Sequence, residues 1–393
     1  MAPKDTTETK SKKPANTAFK QQRLRAWQPL LTPKAVLPTF FIIGIIFAPL
    51  GGVLLWASDS VNELIIDYTH CAKAGDRLTN IPDQDYSIRV SGASQGQLEQ
   101  VPQYKFENNH CTLQFSLPAD LTPPVFLYYR LTNFYQNHRR YVKSLDANQL
   151  RGDAVSAGTL ESSSRTGCPP LATMEVNGVK KIIYPCGLIA NSMFNDTIDN
   201  PVLQNPADST SDSLVYPFSD KGIAWPSDQK KYGKTRYNLD EIVPPPNWWP
   251  RYTNGEYTAD NPPPDLSQDE RFQVWMRTAG LPTFRKLYGR NDDTVMPRGI
   301  YQIDIAMNYD VTSFGGTKAI VISTVSFMGG KNPFLGIAYI VVGVLCVVLG
   351  CLFTARHIYR PRKLGDHTYL SWNQQVASGL ATQGGHQDPN QNS

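Results

Sequence analysis

The sequence predicts a membrane protein in which two transmembrane helices flank a mainly antiparallel β-sandwich. Three observations point there: a charge-free apolar run near each end, short runs between them that alternate apolar and polar residues, and four cysteines gathered in that middle segment. Period-two alternation marks half-buried strands, whereas unbroken apolar runs of about 20 residues match the thickness of a bilayer. At 393 residues and 41% hydrophobic content, the chain is long enough for a packed core in addition to the spans.

Taken in order, residues 1–35 are a basic tail with eight Lys or Arg, Arg23 and Arg25 among them, against two acids. Residues 36–57 (VLPTFFIIGIIFAPLGGVLLWA) carry no charge. At a rise of about 1.5 Å per residue they reach roughly 33 Å, enough for the hydrocarbon core. The run starts too late and is too long to be the apolar centre of a cleaved signal peptide. Gly44, Ala48 and Gly52 recur every four residues within it; in the second run, residues 334–354, Gly336, Gly343 and Gly350 recur every seven. Small residues lining one helical face permit close approach of another helix and are candidate partner-binding positions. Pro49 removes a backbone donor and is expected to kink the first helix. Neither span holds an ionisable residue that would build a polar route across the bilayer.

Basic residues crowd the N-terminal side of the first run and the C-terminal side of the second (Arg356, His357, Arg360, Arg362, Lys363). The positive-inside rule therefore places the tails, 1–35 and 355–393, in the cytosol and residues 58–333 in a lumen or outside the cell. Cysteine usage agrees, because Cys71, Cys111, Cys168 and Cys186 all lie in 58–333, with Cys346 and Cys351 inside the second run. In an oxidising compartment four cysteines imply two disulfides, in any of three connectivities. No close Cys or His pair has zinc-ligand spacing, so no metal is expected.

Within 58–333, Cys111, Leu113, Phe115 and Leu117 alternate with polar residues, and so do Tyr301, Ile303, Ile305, Met307 and Tyr309. Further strands are expected at 86–90, 125–131, 181–184, 272–277 and 317–327. Residues 150–180 and 199–222 are expected to be surface loops, and Pro244–Pro246 and Pro262–Pro264 to be extended. The Gln- and Asn-rich tail from about 365 is expected to be disordered.

Several motifs have bland readings. A net charge of +4 over this length gives little support to nucleic-acid binding. There is no GxxxxGK[ST] pattern, and Asp220-Lys221-Gly222 lacks the continuation of an aspartyl-phosphate site, so the chain carries no motor. Gly92-Ala93-Ser94-Gln95-Gly96 fits G-x-S-x-G but sits in a polar loop without the strand-turn-helix context of a nucleophile elbow. Arg151-Gly152-Asp153 reads as a loop. Asn195-Asp196-Thr197 is a glycosylation acceptor, the only N-x-[ST] site in the sequence. The segment Tyr128–Tyr141 (YYRLTNFYQNHRRY) interleaves aromatic and basic residues, which suits either a strand with Arg at its rim or a contact surface. Arg139, Arg140 and Tyr141 are its candidate partner-binding residues.

Seven segments carry a resemblance: NTAFKQQRLRAWQP (16–29), LTNFYQNHRRYV (131–142), IIYPCGLIANSMFND (182–196), VPPPNW (243–248), FQVWMRTA (272–279), SFGGTK (313–318) and GDHTYL (365–370). In this order they resemble the accessory subunits of type IV P-type ATPase (P4-ATPase) phospholipid flippases, the cell-division-control 50 or ligand-effect-modulator family. The resemblance implies a heterodimer with a P4-ATPase catalytic subunit that moves membrane phospholipids, with no catalysis and no cofactor in this chain. It further implies a jelly-roll-like luminal domain, disulfides Cys71–Cys111 and Cys168–Cys186, a glycan on Asn195, and an N-terminal segment with Arg23 and Arg25 lying against the ATPase. The secretory pathway, from endoplasmic reticulum to Golgi, endosome or plasma membrane, is the implied location. The rival reading is a stand-alone two-span receptor or adhesion protein.

Overall fold

The two apolar runs form helices Pro33–Asp59 and Phe334–Tyr359 in a computed structural model of the chain, which describes residues 14–25, 31–90, 100–162, 167–204, 214–326 and 329–361. Both helices are long and apolar enough to cross a membrane, and the first stays helical through Pro38 and Pro49. The chain divides into two compact units, Met1–Val53 with Phe334–Ser393, and Leu54–Pro333. Ser94 and the GDHTYL segment lie outside the described residues.

In the helical unit the small residues form a seam between the chain's own two helices. A Cβ on Gly343 would stand 3.0 Å from the Ala48 nitrogen, one on Gly44 2.5 Å from the Val347 side chain, and one on Gly350 3.1 Å from the Phe41 ring. Gly51 backs onto Gly336, where a Cβ would come 2.8 Å from the Gly336 carbonyl oxygen and 2.7 Å from Ile340. Ring pairs Phe47–Tyr339 (4.9 Å) and Phe40–Phe353 (5.7 Å) fill the rest of the seam. The stripe expected on the first helix is thus corrected at one end: it runs through Gly44, Ala48 and Gly51, while a Cβ on Gly52 would meet nothing within 4 Å. At 3.6 residues per turn a step of seven drifts by only about 20°, whereas a step of eight drifts by about 80°.

The second unit holds fifteen strands among its described residues. In chain order they are β1 (Glu63–Asp67), β2 (Thr79–Asn80), β3 (Tyr86–Arg89), β4 (Gln103–Glu107) and β5 (His110–Leu117). Next come β6 (Val125–Leu131), β7 (Thr173–Val176), β8 (Val179–Ile183), β9 (Thr197–Ile198) and β10 (Val202–Leu203). The last are β11 (Leu214–Val215), β12 (Ile242–Val243), β13 (Phe284–Asn291), β14 (Gly299–Ala306) and β15 (Lys318–Ser323). One sheet has the order β13-β6-β15-β1-β3 and the other β11-β10-β14-β5-β4-β2, with β9 on β14; all their pairings are antiparallel. A small third sheet, β12-β8-β7, includes one parallel pair. Leu64, Leu127, Tyr129, Ile320 and Ile322 of the first sheet share one core with Leu113, Phe115, Tyr301, Ile303 and Ile305 of the second, which makes the unit a sandwich. The alternation read from Tyr301 to Ile305 is realised in β14, where Phe115 of β5 faces Tyr301 and the rings stack at 5.9 Å. Met307 and Tyr309 fall beyond the strand end.

Two expectations are corrected. Residues 272–277 are not a strand, since Glu270–Met276 is a helix capped by Asp269, whose side chain accepts from the Phe272 N–H at 2.9 Å. Its buried positions Phe272, Gln273, Trp275 and Met276 follow a helical period, which the apolar-aromatic composition disguised. Nor are 150–180 and 199–222 merely loops, for they contribute the short helix Ala157–Glu161 and strands β7, β10 and β11. Leu160, Cys168 and Ala172 from the first of these segments join Ile183, Cys186 and Val243 in a second small core.

The Asp196 carboxylate ties the sheets together. One oxygen accepts from the backbone N–H of Asn308 and Tyr309, both at 2.6 Å, just past β14. The other accepts from the Tyr68 hydroxyl at 2.9 Å and from the Lys318 ammonium at 2.7 Å, at the ends of β1 and β15. Lys318 also donates to the Tyr309 carbonyl at 2.7 Å. Burial pulls the ammonium below its ordinary pKa, and the carboxylate opposes that pull. Burial and Asp196 hold the Tyr68 hydroxyl well above its usual range, so it remains a donor. The disulfide Cys71–Cys111 bridges the same two sheets one turn away, joining the segment after β1 to β5.

Replacing Asp196 by Ala strands a buried ammonium and should cost about 3–5 kcal/mol. The Asp196→Ala/Lys318→Met pair should recover part of that, so a denaturant double-mutant cycle is expected to be strongly non-additive; simple additivity would show that the two residues do not act as a unit. In the seam, Gly51→Leu should lower thermal stability in lipid nanodiscs while Gly52→Leu leaves it near wild type, and equal effects would contradict the pairing described.

Candidate partner-binding surface

Beyond β6 the chain forms a protruding turn whose backbone is fixed from both sides. The Asn133 amide donates to the Phe314 carbonyl at 2.6 Å, the Phe134 N–H to the Pro282 carbonyl at 3.1 Å, and Asn137 to the Gly280 carbonyl at 2.9 Å. Gln136 is fully buried, and its side-chain oxygen accepts from the Ala279 N–H at 2.8 Å. His138 then caps the short helix Arg139–Lys143, its Nδ1 accepting from the Arg140 N–H at 3.3 Å.

Tyr141 points into the protein. Its hydroxyl meets the Ser192 hydroxyl at 2.8 Å, its ring meets Phe134 edge-on at 5.8 Å, and burial pushes its pKa up to about 12. Arg139, Arg140 and Lys143 point the other way, into solvent, beside Tyr135 (56% exposed) and Val142 (40% exposed). Among the described residues no carboxylate pairs with any of the three. The result is a cationic knob with exposed apolar neighbours, its backbone fixed by hydrogen bonds to the segments at 279–282 and 314.

The second disulfide supports this knob. Ser144, at the helix end, donates to the Pro169 carbonyl at 3.0 Å and accepts from the Leu188 N–H at 2.9 Å, contacts that lie next to Cys168 and near Cys186 of the Cys168–Cys186 bridge. Gln149 accepts from the Cys186 N–H at 2.8 Å. Gly187 has a φ of 98°, and a Cβ there would collide with the Ser144 carbonyl, so only glycine closes this platform.

The other expected positions are separate from the knob. Arg23 hydrogen-bonds Asn16 and, like Arg25, is exposed in the helical unit. Gly44, Ala48, Gly336, Gly343 and Gly350 meet the chain's own opposite helix, which leaves Gly52 as the expected small residue with an open face. Asn195 is half-buried and Thr197 exposed on either side of Asp196. Arg151-Gly152-Asp153 is structural: Gly152 is buried with a φ of 100°, and Asp153 pairs with Arg236 at 3.2 Å.

A second basic-aromatic cluster was not singled out from the sequence. A cleft of about 440 Å³ is lined by Tyr128, Trp225, Arg277, Arg285 and Lys286, with Arg277 over the Trp225 ring at 5.1 Å and Arg285 over Tyr128 at 4.9 Å. Behind it, the Lys286 ammonium donates to the carbonyls of Val274 (3.0 Å), Trp275 (2.9 Å) and Arg277, closing the end of helix Glu270–Met276. Burial, and then Arg277, lower its pKa to about 7. These residues come from segments far apart in sequence, so no local motif announces them.

Two apolar helices flanking a disulfide-braced β-sandwich define a two-span membrane protein. The chain belongs to the LEM3 (ligand-effect modulator 3) family / CDC50 family, whose profile matches residues 54–363. It is 45% identical over 382 residues to the phospholipid-transporting ATPase accessory subunit CDC50 of Chaetomium thermophilum, covering 93% of each chain. To the phospholipid-transporting ATPase accessory subunit CRF1 of Saccharomyces cerevisiae it is 43% identical, over 92% of this chain and 90% of the relative. To cell cycle control protein 50A of Mus musculus it is 42% identical, over 89% and 91%.

Tyr141→Phe removes the hydroxyl's hydrogen bonds with Ser192 (2.8 Å) and Gln136 (3.4 Å) and should cost about 1–2 kcal/mol in denaturant unfolding. Arg139→Ala and Arg140→Ala should each stay within about 0.5 kcal/mol of wild type. A larger loss at either arginine would make it part of the fold rather than of a free surface.

Proposed function

We propose that this chain is the non-catalytic accessory subunit of a P4-ATPase phospholipid flippase. The observation that carries this reading is the end-to-end match, over nine-tenths of both chains, to two fungal proteins named as phospholipid-transporting ATPase accessory subunits. The partner is the ATPase catalytic subunit in a heterodimer, and transport of phospholipid from the exoplasmic to the cytosolic leaflet is the partner's work. The accessory chain assists export of the ATPase from the endoplasmic reticulum and supports its cycle.

In this reading the tails 1–35 and 355–393 are cytosolic, 36–57 and 334–354 span the bilayer, and 58–333 is luminal or extracellular, with its two disulfides formed there and Asn195 glycosylated. Basic flanks outside both spans support that orientation. The knob Arg139–Lys143 meets the ATPase on the luminal side, Gly52 offers a close approach to a partner helix within the bilayer, and Arg23 and Arg25 meet the partner in the cytosol. Contacts in three compartments raise one another's effective concentration, so individually weak sites combine into a stable complex.

Affinity purification of the full chain in mild detergent should return a polytopic ATPase in stoichiometric amount. Arg139→Glu/Arg140→Glu should reduce that recovery by about tenfold without changing the melting temperature of the purified chain. A chain that is stable, exported and free of any ATPase would favour the receptor or adhesion reading instead, and unchanged recovery from the double variant would remove the knob from the interface.

A further inference from the structure

The two long helices border an open cleft of about 450 Å³ where the first begins and the second ends. Leu31, Pro33, Val36 and Leu37 line it from the first helix and the residues just before it, and Phe353, Arg356, His357 and Arg360 from the second. Phe353, Arg356 and Arg360 are spaced three and four residues apart, so they share one face of that helix, apolar at the end of the span and cationic just beyond it. Among the described residues no carboxylate lines the cleft, and neither Arg356 nor Arg360 has an ion-pair partner. Basic residues at a helix C-terminus stabilise the helix by themselves, because they face its partial negative charge. That account does not require them to converge with the aliphatic wall of a second helix on one cavity.

The geometry points to a binding site for an anionic phospholipid: the Arg356 and Arg360 guanidiniums take the phosphate and headgroup charge, and Leu37, Val36 and Phe353 hold the first acyl carbons. The gradation along the cleft matches a lipid's own, since a guanidinium pairs with phosphate through charge-assisted, often bidentate hydrogen bonds while the hydrocarbon below needs no polar partner. The depth also fits, because the cleft lies where the charge-free stretch of each helix gives way to charged residues, at the headgroup level. The inference rests on the reading of both tails as cytosolic, which makes the ligand a lipid of the cytosolic leaflet.

The test uses the full chain, delipidated in detergent and examined by native mass spectrometry with added dioleoyl phosphatidylserine or dioleoyl phosphatidylcholine. Wild type should retain one phosphatidylserine in preference to phosphatidylcholine. Arg356→Ala/Arg360→Ala should weaken that retention by about tenfold or more, and Leu37→Trp, which fills the cleft and leaves the charges in place, should weaken it as well. Equal retention of the two lipids, unchanged retention by both variants, or displacement by millimolar inorganic phosphate would each overturn the site. The orientation is tested separately, with Arg360→Cys in a Cys346→Ser/Cys351→Ser background probed by an impermeant maleimide on sealed microsomes. Protection from the cytosolic side would reverse the topology and the leaflet while leaving the lipid result in detergent intact.

Discussion

One buried carboxylate decides how this domain holds together. Asp196 accepts four hydrogen bonds, two from backbone past β14 and two from the ends of β1 and β15, and so fixes the offset between the sheets at a point where sliding would leave a charge unpaired. Hydrophobic contact between Phe115, Tyr301 and the aliphatic residues of β15 is tolerant of small shifts; an ion pair with the Lys318 and Asp196 side chains 3% and 0% exposed is not. The disulfide Cys71–Cys111 acts beside it on the unfolded chain, and the carboxylate on the native register.

The same logic governs the surface. Gln136, Ser144 and Gln149 bond the backbone of neighbouring segments and Tyr141 bonds the Ser192 hydroxyl, so what remains on the knob is cationic side chain with no internal partner among the described residues. In the helical unit the small residues Gly44, Ala48, Gly51, Gly336, Gly343 and Gly350 are taken up by the pairing of the chain's own two long helices.

Much of this was legible from residue order alone. The spans follow from unbroken charge-free apolar runs, β5 and β14 from period-two alternation, β6 lies where a strand was expected, and both disulfides are those that the family resemblance implied. The helix Glu270–Met276 was misread because aromatic residues favour strands, and only the Asp269 cap and the tertiary bond from Trp275 to the Ile189 carbonyl reveal its turn. The Gly51 contact was missed by counting in fours where the helix counts in 3.6. At the knob, the sequence singled out Arg139, Arg140 and Tyr141 together, and packing then divided them, two arginines outward and the tyrosine inward against Ser192. The Lys318–Asp196 pair spans 122 residues, and no local pattern reports such a partnership.

The strand order carries a consequence for how the domain is made. Strand β15 lies between β6 and β1, and Lys318 pairs in register with Leu131, so the last strand synthesised fills a gap bordered by two much earlier ones. At ribosomal speeds of about 5–20 residues per second, those two edges wait roughly 10–50 s for the strand that covers them. Throughout that interval the nascent chain offers open templates for wrong pairing, and it completes its middle only as the second membrane segment is about to emerge.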